Sequence, residues 1–211
     1  LRTYGSLKDQ DKPLVVSGIL LALDDKFFKP DDLLGDETTT DGQLIYDAIQ
    51  RRLKASNVGP DVKRDKLMSE FSIIRTSARL NEIDTKLGKT PLKFYTEFLK
   101  KNVFDNIKYR SSSEDFIGRF YGEFMSYSGG DGQTLGIVLT PRHICDLFCN
   151  LLDIQATDIV LDPCCGTAGF LVAAMHHMLA KAGADQNKRK NIKKKQLHGF
   201  ELQSNMFAIA A

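Results

Sequence analysis

Apolar residues recur at helical spacing through most of the first 128 residues of the chain. In "DGQLIYDAIQRRL", Ile45, Ala48, Ile49 and Leu53 stand at positions i, i+3, i+4 and i+8, which places them on one face of a helix. The same spacing runs through "TPLKFYTEFLKKNVF" and "EDFIGRFYGEFMSY". No sustained alternation of apolar and polar residues is evident before residue 135. The pattern predicts an all-helical N-terminal domain over residues 1–130.

The pattern changes after "SYSGGDGQTLG", a break rich in glycine and serine over residues 126–136. "DIVLD" then predicts a short buried strand, and "AGFLVAAMHHMLAKAG" predicts a helix that ends near Gly183. "QLHGFE" predicts a second strand, and "SNMFAIAA" opens a further helix. Strands that alternate with helices indicate a doubly wound α/β fold. We therefore expect a second domain over residues 131–211.

A helix is also predicted between the break and the first strand. Thr140 is a favourable N-cap residue, and Pro141 fits the first helical position after it. Apolar residues follow at the spacing of one helix face. This predicted apolar face consists of Ile144, Leu147, Phe148, Leu151 and Leu152.

The composition is that of a soluble globular protein. The 211 residues are 42% hydrophobic and 27% charged, with a net charge of +2. The apolar runs fall short of the roughly 18 residues that a membrane span needs, and no signal peptide is visible in the polar first residues. We expect a cytoplasmic protein without a membrane partner. Because the chain begins with Leu1 rather than Met, we expect its natural N-terminus to lie upstream.

The four cysteines form two pairs. Cys145 and Cys149 are four positions apart, and Cys164 and Cys165 are adjacent. Neither pair has the C-x-x-C spacing that is typical of zinc sites. Reduced, structural cysteines of an intracellular protein are the favoured interpretation, with metal ligation as the alternative. No metal site is predicted.

The stretch "LDPCCGTAGF" joins the first predicted strand to the next helix. Ligands of parallel α/β sheets bind at the carboxyl ends of the strands. Gly166 and Gly169 allow the backbone to approach a ligand without a Cβ, and the helix N-terminus beyond them offers free N–H groups. Glu201 follows the second strand, where an acid can accept hydrogen bonds from ribose hydroxyls. These residues predict a site for a cofactor that contains a nucleoside, and a plain tight turn is the alternative.

The positions of the acids favour a methyl donor over a dinucleotide. The dinucleotide fingerprint is G-x-G-x-x-G with an acid about 20 residues later, whereas Asp162 and Glu201 are 39 positions apart. A carboxylate at Asp162 would repel a pyrophosphate but attract the cationic sulfonium and ammonium groups of S-adenosylmethionine. We therefore predict S-adenosylmethionine as the cofactor.

Three ordered elements within residues 136–201 resemble those of a known family. "LTPRHICDLFCNLL", "VLDPCCGTAGFLVAA" and "LHGFE" are similar to elements of the modification (M) subunits of type I restriction-modification systems, which are DNA adenine-N6 methyltransferases. In that family an aromatic-Thr-Pro element precedes a D-P-x-x-G-[ST]-[GA]-G-F loop, and a G-x-E element follows. The resemblance implies the α/β fold of a Rossmann-like, S-adenosylmethionine-dependent methyltransferase domain, of which residues 131–211 are the first part.

The resemblance also implies a set of cofactor-binding residues. Thr140–Pro141 match the element that lies along the cofactor, residues 162–170 match the loop around its methionine part, and Glu201 matches the acid on the ribose. Leu139 stands where the family often has Phe or Tyr, and Ala168 stands where Gly is commoner. The complete set is Leu139, Thr140, Pro141, Asp162, Pro163, Gly166, Thr167, Ala168, Gly169, Phe170 and Glu201.

The catalytic element of that family is missing from the chain. No Asn-Pro-Pro-[Phe/Tyr] occurs within the 211 residues. In the family this turn binds the amino group of an adenine that has been flipped out of the duplex. We therefore predict no catalytic residue here, expect the motif beyond Ala211, and expect the chain to be an inactive part of a longer protein.

The partners implied by the resemblance are double-stranded DNA and the specificity and restriction subunits, with more than one M subunit in a complex. The run "KRKNIKKK", residues 188–195, has six positive charges in eight residues. A solvated loop is its favoured interpretation, and contact with DNA phosphates is the alternative. For the whole chain, a non-catalytic helical assembly or DNA-binding module with a degenerate cofactor fold is the alternative function. An RNA or protein methyltransferase is a third.

Overall fold

The computed structural model describes residues 2–8, 11–108 and 140–210. The chain divides into two compact units, Leu1–Phe116 and Ile117–Ala211. None of the described helices is both long and apolar enough to cross a membrane.

Three sequence predictions fall outside the described residues. They are the break over residues 126–136 with the domain boundary beside it, the helix in "EDFIGRFYGEFMSY", and the cofactor contact of Leu139. The domain limits 1–130 and 131–211 therefore stay predictions.

The first unit is built from helices, in agreement with its apolar periodicity. Their bounds are α1 Arg2–Gly5, α2 Lys12–Leu23, α3 Asp41–Ala55, α4 Asp61–Phe71, α5 Ile73–Thr76, α6 Ala78–Asn81, α7 Pro91–Leu99 and α8 Asp105–Lys108, with a 3-10 turn at Pro30–Asp32 and a π-helical turn at Lys100–Phe104. Among the described residues of this unit, the sole β contact is an isolated bridge between Asp84 and Lys89. α2 is the central helix: it packs against α3, α4 and α7, and its Val15 and Ile19 have no exposed surface.

A buried carboxylate joins the start of α3 to the start of α7. Asp41 has no exposed surface. Its Oδ1 accepts the Gly35 N–H at 2.9 Å, and its Oδ2 accepts the Thr90 hydroxyl. Thr90 also caps α7 by accepting the Lys93 N–H at 3.0 Å. Because Asp41 is the first residue of α3, the helix dipole further stabilises its charge.

Asp41→Ala is expected to lower the free energy of unfolding by about 2–4 kcal/mol, because the Gly35 N–H and the Thr90 hydroxyl lose their buried acceptor. Urea denaturation followed by circular dichroism measures the change. The control is Asp47→Ala on the same helix, where a half-buried carboxylate accepts from Gln43 Nε2 at 2.8 Å. That variant should lose less than about 1 kcal/mol. Equal losses in the two variants would contradict the role given to Asp41.

The second unit contains a small parallel sheet. Its elements are α9 Arg142–Leu151, β1 Val160–Asp162, α10 Gly169–Ala182, α11 Gln186–Asn191, a π-helical turn at Ile192–Gln196, β2 Leu197–Gly199 and α12 Ser204–Ala210. β1 and β2 pair in parallel, with Val160 opposite Leu197 and Asp162 opposite Gly199. The predicted order of strand, loop, helix, strand and helix is therefore confirmed for the described residues.

The predicted apolar face of α9 is wrong. Its large side chains are exposed, with Leu147 at 48%, Phe148 at 50% and Leu151 at 75%. The helix instead buries Cys145 and Cys149, which share a core cluster with residues of α10. Free cysteine behaves as a small hydrophobe, so the two thiols pack in the core in place of the larger residues.

The predicted burial of the first strand is also wrong. Ile159 and Leu161 are 72% and 58% exposed, while Val160, which points to the other face, packs against both core clusters of the unit. α10 packs against β1 and β2. Side chains alternate across a strand, so Ile159 and Leu161 project from the face opposite Val160.

Two local predictions need correction. α9 begins at Arg142, and its N-cap is Pro141 with extended backbone and no side-chain cap, so Thr140 does not cap the helix. The Pro141 carbonyl accepts the N–H of Ile144 at 2.9 Å and so fills the N-cap role with its backbone. Residues 188–195 are helical rather than a loop, because they span α11 and the π-helical turn.

Candidate cofactor site

The carboxyl ends of β1 and β2 bring two acids, distant in sequence, to one edge of the sheet. Asp162 is the last residue of β1, and Glu201 follows the end of β2 by two positions. Asp162 Oδ1 accepts the Cys164 N–H at 3.0 Å. Glu201 Oε2 accepts the Gly166 N–H at 2.9 Å. Both carboxylates therefore border the same loop.

Backbone bonds tie this loop to the segment after β2. The Cys165 N–H donates to the Phe200 carbonyl at 2.9 Å, and the Phe200 N–H donates to the Asp162 carbonyl at 3.0 Å. Glu201 Oε1 accepts the Gln203 N–H at 2.7 Å, which fixes the orientation of the carboxylate. The loop is thus held from the β2 side and not only by its own turn.

Two residues of the loop have backbone conformations that favour glycine. Gly166 has a φ of 55° and Ala168 a φ of 65°. A Cβ on Gly166 would meet no atom within 4 Å, so the space beside this glycine is open to a ligand. At Ala168 the Cβ of a left-handed residue crowds the backbone, at a cost of about 1–2 kcal/mol. The glycine common at this position of the family is therefore favoured by conformation as well as by size.

The loop leads directly into α10, whose N-terminus lacks a side-chain cap. The Val172 N–H bonds to the Ala168 carbonyl at 2.8 Å and so closes the first helical turn. The N–H groups before it have no partner within the helix, because every α-helix leaves its first donors unpaired. Such a terminus attracts anionic groups.

The other loop residues of the predicted set differ in their surroundings. Phe170 is half-buried, and its ring meets that of Phe148 edge-on with centroids 5.5 Å apart. Thr167 is half-buried, whereas Pro163 and Gly169 are exposed. Pro163 and Gly169 are therefore accessible from solvent.

The residues before α9 are less closely joined to the loop. Thr140 and Pro141 are exposed, and the described contacts include no hydrogen bond from either to the loop. One turn further on, Cys145 Sγ would lie 3.8 Å from a Cβ built on Gly169. The first turn of α9 therefore lies beside the first turn of α10.

Sequence reasoning missed the part played by Gly199. A Cβ there would lie 2.8 Å from Cys165 Sγ and 2.9 Å from Leu171 Cδ1, too close for either. Only glycine lets β2 approach the loop and α10 this closely. The sequence signal for this close approach is the glycine two positions before the acid in "HGFE".

Three of the four cysteines are buried, and Cys164 is exposed. Burial raises the pKa of the Cys165 thiol, and the charges of Asp162 and Glu201 raise it further. Burial also raises the pKa of the Cys145 and Cys149 thiols. These three thiols are therefore protonated at neutral pH and poorly reactive. Within the described part of the chain, no three His, Cys, Asp or Glu side chains are grouped for a metal ion.

Thiol labelling of the native chain is expected to show one fast-reacting cysteine, because only Cys164 is exposed. A chromogenic disulfide reagent measures the fast phase, and Cys164→Ser should remove it. Cys145→Ser, which changes a buried thiol, is the control and should leave the fast phase intact. Two or more fast thiols in the native chain would contradict this arrangement.

Comparison with known proteins finds relatives from restriction-modification systems. The chain is 42% identical over 212 residues to "Type II restriction enzyme and methyltransferase RM.BcgI" of Heyndrickxia coagulans, an alignment that covers all of this chain and 33% of that protein. It is 30% identical over 83 residues to "Type I restriction enzyme MjaVII methylase subunit" of Methanocaldococcus jannaschii, covering 39% of this chain and 14% of that one.

Residues 112–211 match the family "N-6 DNA Methylase". The chain resembles the N-6 DNA methylases of restriction-modification systems. This confirms the resemblance found in the three sequence elements, whose residues 136–201 lie inside the matched region.

The fold of the chain is also similar to that of part of a solved structure. The structure "Crystal structure of a modification subunit of a putative type I restriction enzyme from Vibrio vulnificus YJ016" superposes with a TM-score of 0.54 at 20% identity. The match covers 96% of this chain and 44% of that one. The chain thus spans about a third of RM.BcgI and under half of the Vibrio modification subunit.

Proposed function

We propose that the whole protein is a DNA adenine-N6 methyltransferase of a restriction-modification system, and that residues 140–210 hold its methyl donor, S-adenosylmethionine. The observation that carries the proposal is the meeting of Asp162 and Glu201 around the Gly166 turn, at the carboxyl edge of a parallel sheet. The N-6 DNA Methylase match over residues 112–211 supports the reaction class.

The residues of the loop fit S-adenosylmethionine by charge and by space. Asp162 is half-buried and would face the cationic groups of the methionine part, and the open space beside Gly166 would admit its backbone. The uncapped start of α10 would receive its carboxylate. Glu201 would accept the ribose hydroxyls. When bound, the group supplies an activated methyl for transfer to a nucleophile.

Glu201 can serve the loop and a ligand at once. Each of its carboxylate oxygens accepts one backbone N–H, from Gly166 and from Gln203. Since a carboxylate offers about four acceptor positions, two remain for the hydroxyls of a ribose. The bond to Gly166 means that the same side chain shapes the loop before any ligand arrives.

The sheet is proposed to be the beginning of a larger Rossmann-like sheet. Ile159 and Leu161 form an apolar surface on the face opposite the α10 side. Doubly wound sheets carry helices on both faces and more than two strands. In the whole protein, further strands and helices would then cover this surface.

The target base would be bound by residues outside this chain. Transfer to N6 of adenine requires the base to be flipped out of the duplex and its amino group to be held by acceptors. The 211 residues contain no Asn-Pro-Pro motif for this purpose. The helical first unit would contribute to assembly or to clamping DNA, and the specificity subunit would select the site.

The type of system has two candidates. The sequence elements resemble type I modification subunits, which act with separate specificity and restriction subunits and more than one M subunit in a complex. The relative that aligns with the whole chain is named a type II restriction enzyme and methyltransferase. Purification of the whole protein decides between them. DNA cleavage by the same polypeptide would assign the second, and methylation without cleavage the first.

Calorimetry with the whole protein tests the cofactor. S-adenosylmethionine should bind and NAD⁺ should not. Asp162→Asn should weaken binding about tenfold or more, since a charge-assisted hydrogen bond contributes about 1.5–3 kcal/mol. Asp153→Asn, an exposed acid paired with Lys181 at 2.6 Å, is the matched control and should bind normally. NAD⁺ binding, or equal affinity in both variants, would overturn the assignment.

A further inference from the structure

The segment Lys188–Lys195, here called the basic segment, is a fixed part of the second unit. It carries six of the eight Lys and Arg residues found in 140–210. Ile192, in its middle, has no exposed surface and joins the core of α9 and α10. Directly after it, Gln196 Nε2 donates to the carbonyls of Ala156 and Asp158 at 3.0 and 2.7 Å. The charges are therefore displayed on an anchored helical element.

One of the six charges is used inside the fold. Arg189 NH1 donates to the Leu179 carbonyl at 3.3 Å and to the Gly183 carbonyl at 3.2 Å. These acceptors belong to the C-terminal end of α10, where a cation is favourable. Arg189 therefore stabilises the fold and is not assigned to a partner.

Four lysines of the basic segment point into solvent. They are Lys188, Lys190, Lys194 and Lys195, all exposed, and within the described residues none of them forms an ion pair. The acid nearest in sequence, Asp185, caps α11 by accepting the backbone N–H groups of Asn187 and Lys188, and Asp153 pairs with Lys181. The result is a local concentration of unneutralised positive charge on a unit whose net charge is small.

The basic segment and the cofactor site lie at opposite ends of the sheet. The chain enters β2 at Leu197 directly from the basic segment, and leaves β2 toward Glu201. Because β1 runs parallel to β2, Asp162 and the glycine loop lie at the exit end. The lysines are therefore not part of the cofactor site.

The composition of the basic segment decides the kind of partner. Protein interfaces are depleted in lysine at their cores and enriched in aromatic residues. The basic segment has no aromatic residue, and its one apolar side chain, Ile192, is buried. Lysines are instead typical contacts of phosphate groups, which position DNA without reading its sequence.

We propose that Lys188, Lys190, Lys194 and Lys195 bind the phosphodiester backbone of duplex DNA, away from the base that is methylated. This rests on the proposed function for the presence of DNA. The contacts add affinity that does not depend on sequence, and they leave the methyl donor and the reacting base untouched.

The test uses the whole protein with its partner subunits and measures the affinity for duplex DNA at a series of KCl concentrations. The variant changes the four lysines to glutamine, which removes the charge and has a similar helix propensity. The control changes four exposed lysines of the first unit, Lys26, Lys29, Lys54 and Lys86, to glutamine and so removes the same net charge. Thermal melting checks that both variants are folded.

The slope of log affinity against log salt should fall in magnitude by about 2–4 in the basic-segment variant, since each lost phosphate contact removes about 0.9. The control should lose less of its slope, because its four lysines are not grouped on one segment. S-adenosylmethionine affinity and the methylation rate at saturating DNA should be unchanged in both.

An equal slope in the two variants overturns the inference. So does loss of a protein subunit from the complex with an unchanged salt slope, which would assign the lysines to a protein partner. Absence of DNA binding or methylation in the unmutated protein would instead refute the proposed function.

Discussion

The 211-residue chain, purified alone, is expected to transfer no methyl group to DNA. It carries the loop and acids proposed to hold the donor, but no Asn-Pro-Pro turn to hold a flipped adenine. Its donor affinity should also be below that of the whole protein, because within the described residues the sheet has two strands and the side chains of Ile159 and Leu161 are exposed. Incubation with labelled S-adenosylmethionine and adenine-containing DNA measures the transfer.

The whole protein with its specificity subunit is the positive control for this experiment. It should label the DNA under the same conditions. Label transferred by the short chain would mean that the catalytic residues lie within it. The flipped adenine would then be bound by residues of this chain, and the proposal that the base is held outside it would be wrong.

Glu201→Ala in the whole protein is expected to weaken S-adenosylmethionine binding about 100-fold or more. It removes two proposed charge-assisted bonds to the ribose, each worth about 1.5–3 kcal/mol. It also removes the acceptor of the Gly166 N–H at 2.9 Å. Glu201→Gln keeps one amide oxygen that can accept from Gly166, so its affinity should fall less. Calorimetry measures both variants, with the exposed Glu82→Ala as control.

Hydrogen exchange without any ligand separates the two effects of Glu201. The Gly166 amide should exchange slowly in the unmutated chain and in Glu201→Gln, and fast in Glu201→Ala. Unchanged donor affinity in both variants would contradict the ribose assignment. Equal exchange in all three proteins would contradict the contact with the loop.

The order of elements could be predicted from the sequence because it depends on local pattern. Helical spacing identified α3 and α7, the apolar run before Asp162 identified β1, and the stretch "QLHGFE" identified β2. Gly183 ends α10 with a φ of 58°, where the sequence predicts the stop. Each of these features is encoded within a few adjacent residues.

The burial of each face could not be predicted, because it depends on what packs against it. α9 buries Cys145 and Cys149 rather than its larger apolar residues, since the small thiols face α10. The bond from Gly166 to Glu201 and the close approach at Gly199 join positions 28 or more apart in sequence. Motif spacing indicated that these residues belong together, but not which atoms would meet.

The most direct test of the proposed function is mass spectrometry of nucleosides from DNA treated with the whole protein and S-adenosylmethionine carrying a deuterated methyl group. Deuterated N6-methyladenine is expected, and it should be absent when Asp162→Asn and Glu201→Ala are combined. Methyl label on cytosine, on protein or on RNA in place of adenine would contradict it, as would an active double variant.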